Sequence, residues 1–194
     1  VLNDMIAQMA VAEDQAFIRG SGTQFSPKGI RYWTVSGNVI GTSGNTIAQV
    51  TQDLQDLLNA LEGNDVRMIN PGWLFAPRTA NYISLLQATT GQFVYRDEMK
   101  AGQLLNFPFA KTNNIPTNLS GSQTEFYLVD FADAIIGDVP GIEIEISREA
   151  AYVDSTGTMQ AAFSQDVTVI RTIERHDFVM RHDVSAAVKT GVAY

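Results

Sequence analysis

The order of periodic segments in this chain predicts an α+β fold. A helical stripe occupies residues 46–62, strict alternation occupies residues 142–146, and helix signals crowd the first half while strand signals crowd the second. A doubly wound sheet would need strand and helix to alternate regularly, and they do not.

Taken in order, Leu2, Met5, Ile6, Met9, Val11 and Ala12 keep a helical rhythm from the outset, and Gly20-Ser21-Gly22 stops it. Because Val1 is not an initiator methionine and the rhythm is already running, the chain is expected to be a portion of a longer protein. Residues 33–40 alternate apolar with small or polar side chains, as a short strand does, and Gly41-Thr42-Ser43-Gly44-Asn45 reads as a loop. From Thr46, the residues Ile47, Val50, Leu54, Leu57, Leu58 and Leu61 share one face, Asp53, Asp56 and Glu62 fall outside it, and Gly63 ends the helix. Residues 66–69 predict a short buried strand stopped by a turn at Asn70-Pro71-Gly72.

A second helix is expected from Pro77, with Tyr82, Ile83, Leu85 and Leu86 inward and Gly91 past its end. Residues 111–123, rich in Asn, Thr, Ser and Gly, predict a surface loop. The alternation Ile142-Glu143-Ile144-Glu145-Ile146 places three isoleucines on a core face and two carboxylates on the other. Residues 167–174 and 178–182 read as two further strands with a turn between them.

Composition narrows the function classes. With 194 residues, 45% apolar and 18% charged, the chain can bury a core as one large or two small domains. No apolar run approaches the roughly 18 residues of a membrane-spanning helix, and no basic-then-apolar leader opens the sequence, so no membrane partner is expected. The absence of cysteine excludes disulfides, thiolate metal sites and a cysteine nucleophile. A net charge of −8 argues against a groove tracking phosphates, which needs clustered Lys and Arg.

Chemistry has few candidates. The two histidines occur as His176-Asp177 and His182-Asp183, and on an unbroken strand their even separation puts both imidazoles on one face, where a metal-dependent or acid/base site would form. Against this, Arg175 and Arg181 answer the carboxylates, as polar residues at strand ends do. Gly20-Ser21-Gly22 lacks the third glycine of a dinucleotide fingerprint, and Gly41-Thr42-Ser43-Gly44 is not a hydrolase elbow. Glu143 and Glu145 share a strand face in the manner of an acid/base pair, but that alternation also describes a solvated or intersubunit face.

A run of motifs gives a more specific reading. Glu13-Asp14-Gln15-Ala16-Phe17-Ile18-Arg19-Gly20-Ser21-Gly22-Thr23, followed by Pro27-Lys28-Gly29-Ile30, resembles the end of the long spine helix in tailed-bacteriophage major capsid proteins of the Hong Kong 97 type. Further segments resemble that family in its own order: Asn70-Pro71 with Trp73 and Arg78 to Tyr82; Phe107-Pro108-Phe109 ahead of Ile115-Pro116, with Asn106 in place of the usual glycine; Phe126 to Phe131; Ser147-Arg148-Glu149; Phe163 to Arg171; and Ala186 to Gly191.

The resemblance implies an α+β capsid fold. Residues 1–38 would be peripheral domain, 39–145 axial domain and 146–194 returning peripheral strands, with the N-terminal arm and extended loop outside the chain. It implies no catalysis and no cofactor or metal. It implies hexamers and pentamers of an icosahedral shell around double-stranded DNA, a scaffold or maturation protease as helper, assembly in the bacterial host cytoplasm and residence in the virion. An encapsulin-like nanocompartment shell is the alternative of the same fold, and a metal-dependent enzyme using the His176 and His182 region the alternative of another class.

The subunit-contact candidates are Arg171, Arg175 and Arg181, with Glu143 or Glu145 as partners, and Asn118 in the axial loop. Asp166 and Ile173 stand where self-crosslinking members of the family carry an asparagine and a glutamate, so no self-crosslinking is expected.

Overall fold

A computed structural model describes residues 2–23, 26–139 and 141–194. Its helices are α1 (Leu2–Arg19), α2 (Ile30–Trp33), α3 (Ile47–Glu62), α4 (Pro77–Ser84) and α5 (Arg96–Lys100). Its strands are β1 (Val39–Gly41), β2 (Pro71–Phe75), β3 (Gln103–Leu104), β4 (Phe107–Lys111), β5 (Thr124–Asp130), β6 (Ala134–Asp138), β7 (Glu143–Ser147), β8 (Ala151–Val153), β9 (Met159–Ala161), β10 (Val169–Ile173), β11 (His176–Met180) and β12 (Ala186–Val192). None of the described helices is long and apolar enough to cross a membrane.

One mixed six-stranded sheet, in the order β1-β12-β5-β2-β4-β3, organises the molecule. β5 is buried at every residue, because both faces of the sheet are covered. Phe126 and Leu128 of β5 face α3 and α4, joining Val50, Leu54, Leu57, Leu61, Trp73, Phe75 and Ile83 in one core. Tyr127 and Val129 face the other way, toward Ile18, Ile30, Phe178 and Met180. Each of the buried α3 leucines contributes about 1.5–3 kcal/mol through removal from water.

The expected helix from Thr46 is present with both ends as read: Thr46 Oγ1 accepts the Gln49 amide, Gln49 Oε1 accepts the Thr46 amide, and the Gly63 amide donates to Asn59 O. The glycine motif after α1 also has a physical cause. The Gly20 amide closes α1 on Ala16 O, and the Gly29 amide then donates to Gly20 O at 2.9 Å, so two backbone segments cross in contact. A Cβ on Gly29 would lie 2.6 Å from Ala16 O and 2.7 Å from the Gly20 nitrogen, which forbids any larger residue.

Four expectations need correction. Residues 33–40 are not one strand: α2 ends at Trp33 with Thr34 Oγ1 donating to Ile30 O, a 3-10 turn spans Ser36–Asn38, and only Val39–Gly41 joins the sheet. The Asn38 amide sets that turn by donating to Val184 O and Ala186 O. Residues 66–69 are not a strand either, since Asp65 and Met68 are left-handed (φ 54° and 52°), whereas Pro71 and Gly72 open β2 instead of stopping a strand. The Asp130 carboxylate gathers the amides of Ile69, Asn70 and Ala132 and thereby aims the chain into β2.

The second helix ends at Ser84, leaving Leu85 61% exposed; the Val94 amide donates to Leu86 O, so the chain doubles back and Gly91 (φ 80°) serves that turn. The isoleucines of residues 142–146 alternate as expected but do not face a core: Ile142, Ile144 and Ile146 are 40%, 45% and 68% exposed. Among the described residues β7 pairs only with β10, β6 only with β11 and β8 only with β9, so after β5 the chain leaves the sheet as two-stranded ribbons before β12 returns to it.

Replacing Gly29 with Ala should destabilise the fold by at least about 2 kcal/mol in urea unfolding, through backbone overpacking. Gly37→Ala, where a Cβ meets nothing within 4 Å, should have little effect.

Candidate functional site

The β7–β10 ribbon is amphipathic because antiparallel register puts opposed residues on one face. Ile146 opposes Ile170 and Ile144 opposes Thr172, giving an apolar face; Glu145 opposes Arg171 and Glu143 opposes Ile173, giving a charged one. On the charged face Arg175 donates both terminal nitrogens to Glu143, at 2.7 and 3.4 Å, and Arg171 lies 3.7 Å from Glu145. The Arg175 guanidinium holds the Glu143 carboxyl below the usual carboxylate range, and Glu143 in return raises Arg175. These four contact candidates therefore pair first within the chain.

The other two lie elsewhere. Arg181 follows β11, donates its amide to Asp133 O, and lines a cavity of about 310 Å³ with Arg67, Asp130, Asp133 and His182. Asn118 is exposed in the predicted surface loop, which is not wholly solvated: Ile115 is buried, Asn114 donates to Asp14 of α1, and Leu119 pairs with Gln123.

The histidines do not come together. β11 stops at Met180, His182 flanks the following 3-10 turn, and the two imidazoles line separate cavities, so the unbroken strand that would align them is absent. His176 meets Glu13 and Glu174 instead.

Two buried charge networks escaped sequence reasoning. Asp53, expected outside the α3 stripe, is fully buried, and so is Lys189 of β12, whose Nζ stands 3.1 Å from Asp53 and 2.5 Å from Asp56. Asp53 also accepts hydrogen bonds from Thr42 Oγ1, the Ser43 amide and Tyr194 Oη. Burial raises the Asp56 carboxyl, but hydrogen bonds from Lys189 and Gln52 and the charge of Lys189 outweigh it, leaving the group below its ordinary value. Burial, then the Asp53 charge, push the Tyr194 hydroxyl upward. The signal in the sequence was a lone lysine inside Ala186-Ala187-Val188-Lys189, a run otherwise built for a core.

On the opposite face, Glu125 of β5 accepts from Arg19 Nε at 2.6 Å and from the Tyr127 hydroxyl, with Arg31 Nε 3.7 Å away. Burial and the Glu125 charge push the Tyr127 hydroxyl well up. This carboxylate thus fastens the end of α1 and the short α2 to the central strand.

Such an arrangement, a two-faced sheet locked by buried ions and trailing apolar-faced ribbons, defines a structural building block. The model of the "Phage capsid family" matches residues 1–192, and the chain belongs to that family. It is 33% identical over 202 residues, all of this chain and 46% of the relative, to a "Major capsid protein" of Klebsiella oxytoca phage phiKO2, so it spans less than half that relative's length. Among solved structures, the capsid of an empty GTA particle matches with TM-score 0.70 at 17% identity over 99% of this chain and 65% of that one. The SrpI encapsulin complex from Synechococcus elongatus PCC 7942 matches with TM-score 0.61 at 11% identity over 98% of this chain and 64% of that one. The α+β capsid fold expected from the motifs is the fold found.

Lys189→Ala should cost about 3–5 kcal/mol in chemical unfolding, because Asp53 is left as an uncompensated buried charge. Because the native Asp56 carboxyl lies below its ordinary value, its ionisation stabilises the fold above the ordinary carboxylate range and that contribution fades as pH falls through the native value. An acid titration of stability should therefore show a steeper loss below about pH 4 for the wild-type protein than for Asp56→Asn.

Proposed function

We propose that this chain is the axial and peripheral body of a phage major capsid subunit, which assembles through hexamers and pentamers into an icosahedral head enclosing double-stranded DNA. The observation that carries this is the number of large apolar side chains left uncovered on the ribbons. Ile144 and Ile146 of β7, Ile135 and Ile136 of β6, and Val153, Met159 and Phe163 around the β8–β9 ribbon are all exposed in the single chain. Isolated two-stranded ribbons are marginal in water, and contiguous exposed apolar surface marks a partner surface. Neighbouring copies of the subunit are that partner, and closed rotational symmetry lets one patch be used repeatedly around the shell.

In this reading residues 1–38 and 146–194 belong to the peripheral domain and residues 39–145 to the axial domain. The pairing of β12 with β1 and β5 supports counting residues 186–192 with the axial body instead. Asn118 and its loop form the axial contact, and the Arg171–Glu145 and Arg175–Glu143 pairs set register at the peripheral seam, exchanging partners between subunits at little net cost because both pairs are solvated. The acidic chain lines the head without binding DNA tightly. A scaffold or maturation protease assists assembly in the host cytoplasm, and the protein catalyses no reaction of its own.

The encapsulin likeness supports a second reading, a nanocompartment shell, through the fold alone. The 33% identity to a phage major capsid protein favours the phage head. Capture of a cargo enzyme inside shells, with no DNA, would favour the nanocompartment.

Negative-stain electron microscopy of the full-length subunit, expressed with its neighbouring assembly genes, should show closed shells or capsomer rings. Ile144→Glu with Ile146→Glu should abolish them while changing the unfolding free energy of the subunit by less than about 1 kcal/mol, since both residues are exposed. Reversal of Arg171 and Arg175 to Glu should likewise disrupt assembly. Normal shells from both variants would overturn the ribbon as the seam.

A further inference from the structure

The second half of α1 and the start of β11 bring together three ligating side chains that the capsid reading does not use. Glu13 comes from α1, Glu174 from the link between β10 and β11, and His176 opens β11. One ligand atom of each lies within 4.8 Å of those of the other two, and all three side chains are half-buried. They border a cavity of about 340 Å³.

The imidazole is held but not satisfied. Phe17 packs edge-on against it, with ring centroids 5.0 Å apart, and its side chain is only 18% exposed. Its Nδ1 is sealed from water and has no hydrogen-bond partner among the described residues; Glu13 Oε1, the atom it faces, stands 4.0 Å away, beyond hydrogen-bonding reach. A buried nitrogen left without a partner needs an explanation. The carboxylates lack a cation as well. Arg175, between Glu174 and His176 in sequence, is turned to Glu143 by both terminal nitrogens, and among the described residues no lysine or arginine pairs with Glu13 or Glu174.

We propose that Glu13, Glu174 and His176 form a binding site for a divalent transition-metal ion, best matched to zinc, which clips the long helix to the base of the ribbons. One imidazole nitrogen and two carboxylate oxygens disfavour calcium and magnesium, which take oxygen ligands, and suit zinc. Zinc holds such ligands at about 2.0–2.2 Å, so the two glutamates close by roughly 1 Å, within the reach of their rotamers, and water completes the coordination. The ion neutralises two carboxylates in a chain of net charge −8 and gives the unpartnered nitrogen a partner to donate its lone pair to. Its role is structural: it ties α1 to the link before β11 and to the first residue of β11, and so stiffens the joint from which the ribbons project.

The test is isothermal titration of zinc alone into the metal-free chain, with melting temperature followed in parallel. The expected result is one zinc per chain at micromolar or tighter affinity, and a melting temperature raised by roughly 5–10 °C when zinc exceeds its Kd a hundredfold. Glu174→Gln and His176→Gln should each weaken zinc binding at least tenfold, while His182→Gln should leave it unchanged. Absence of saturable binding to the wild-type chain overturns the proposal without any variant being needed. Binding that survives His176→Gln undiminished, or that is lost in His182→Gln, overturns it equally.

Discussion

A lysine ammonium cannot lie in the interior of a sheet unless opposite charge meets it there, and Lys189 is fully buried. Its partners Asp53 and Asp56 sit one turn apart on α3, so satisfying the lysine fixes both the rotation of that helix and its position along β12. Asp53 then organises its own surroundings by accepting from Thr42, Ser43 and Tyr194, which ties the loop before α3 and the last described residue to the same point. Hydrophobic contacts under α3 supply most of the stabilisation, but they are not directional. The ion network is what selects one arrangement of helix over sheet.

The opposite face of the sheet repeats the device with the signs exchanged. Glu125 is the buried charge, and Arg19 and Arg31 reach it from α1 and α2. Glu125 of β5 and Lys189 of β12 are thus buried toward opposite layers, and each is met by ions on particular helices. Together the two networks fix α1, α2 and α3 relative to the sheet. The crossing of Gly20 and Gly29 serves the same end, because backbone in direct contact has no room to slide.

The ribbons follow a different rule. The β7–β10 ribbon lies outside the two-layered core, carries charged and apolar residues on opposite faces and leaves its apolar side uncovered, whereas Phe178 and Met180 anchor the β6–β11 ribbon in the core. Within a single chain such a surface is a liability, and it suits the partner surface proposed above.

Periodicity and capping determined α3 from the sequence, since Thr46 and Gly63 bound an apolar stripe whose rhythm only a helix can bury. The α+β class, the alternation of Ile142 to Ile146 and the motifs that lead to the phage capsid family were equally legible, being local patterns or their order along the chain. What the tertiary structure alone decided depends on residues far apart. Asp53 looked like a surface carboxylate until Lys189, more than a hundred positions later, was placed beneath it. Residues 142–146 alternated like a strand over a core, yet whether their apolar side meets a core depends on which layer lies above it, and none does. His176 found Glu13 and not His182 because a strand end broke the register that spacing alone assumed. Local sequence fixes dihedral preference and amphipathicity; the partner across the fold is settled only by the packing of segments that the sequence holds apart.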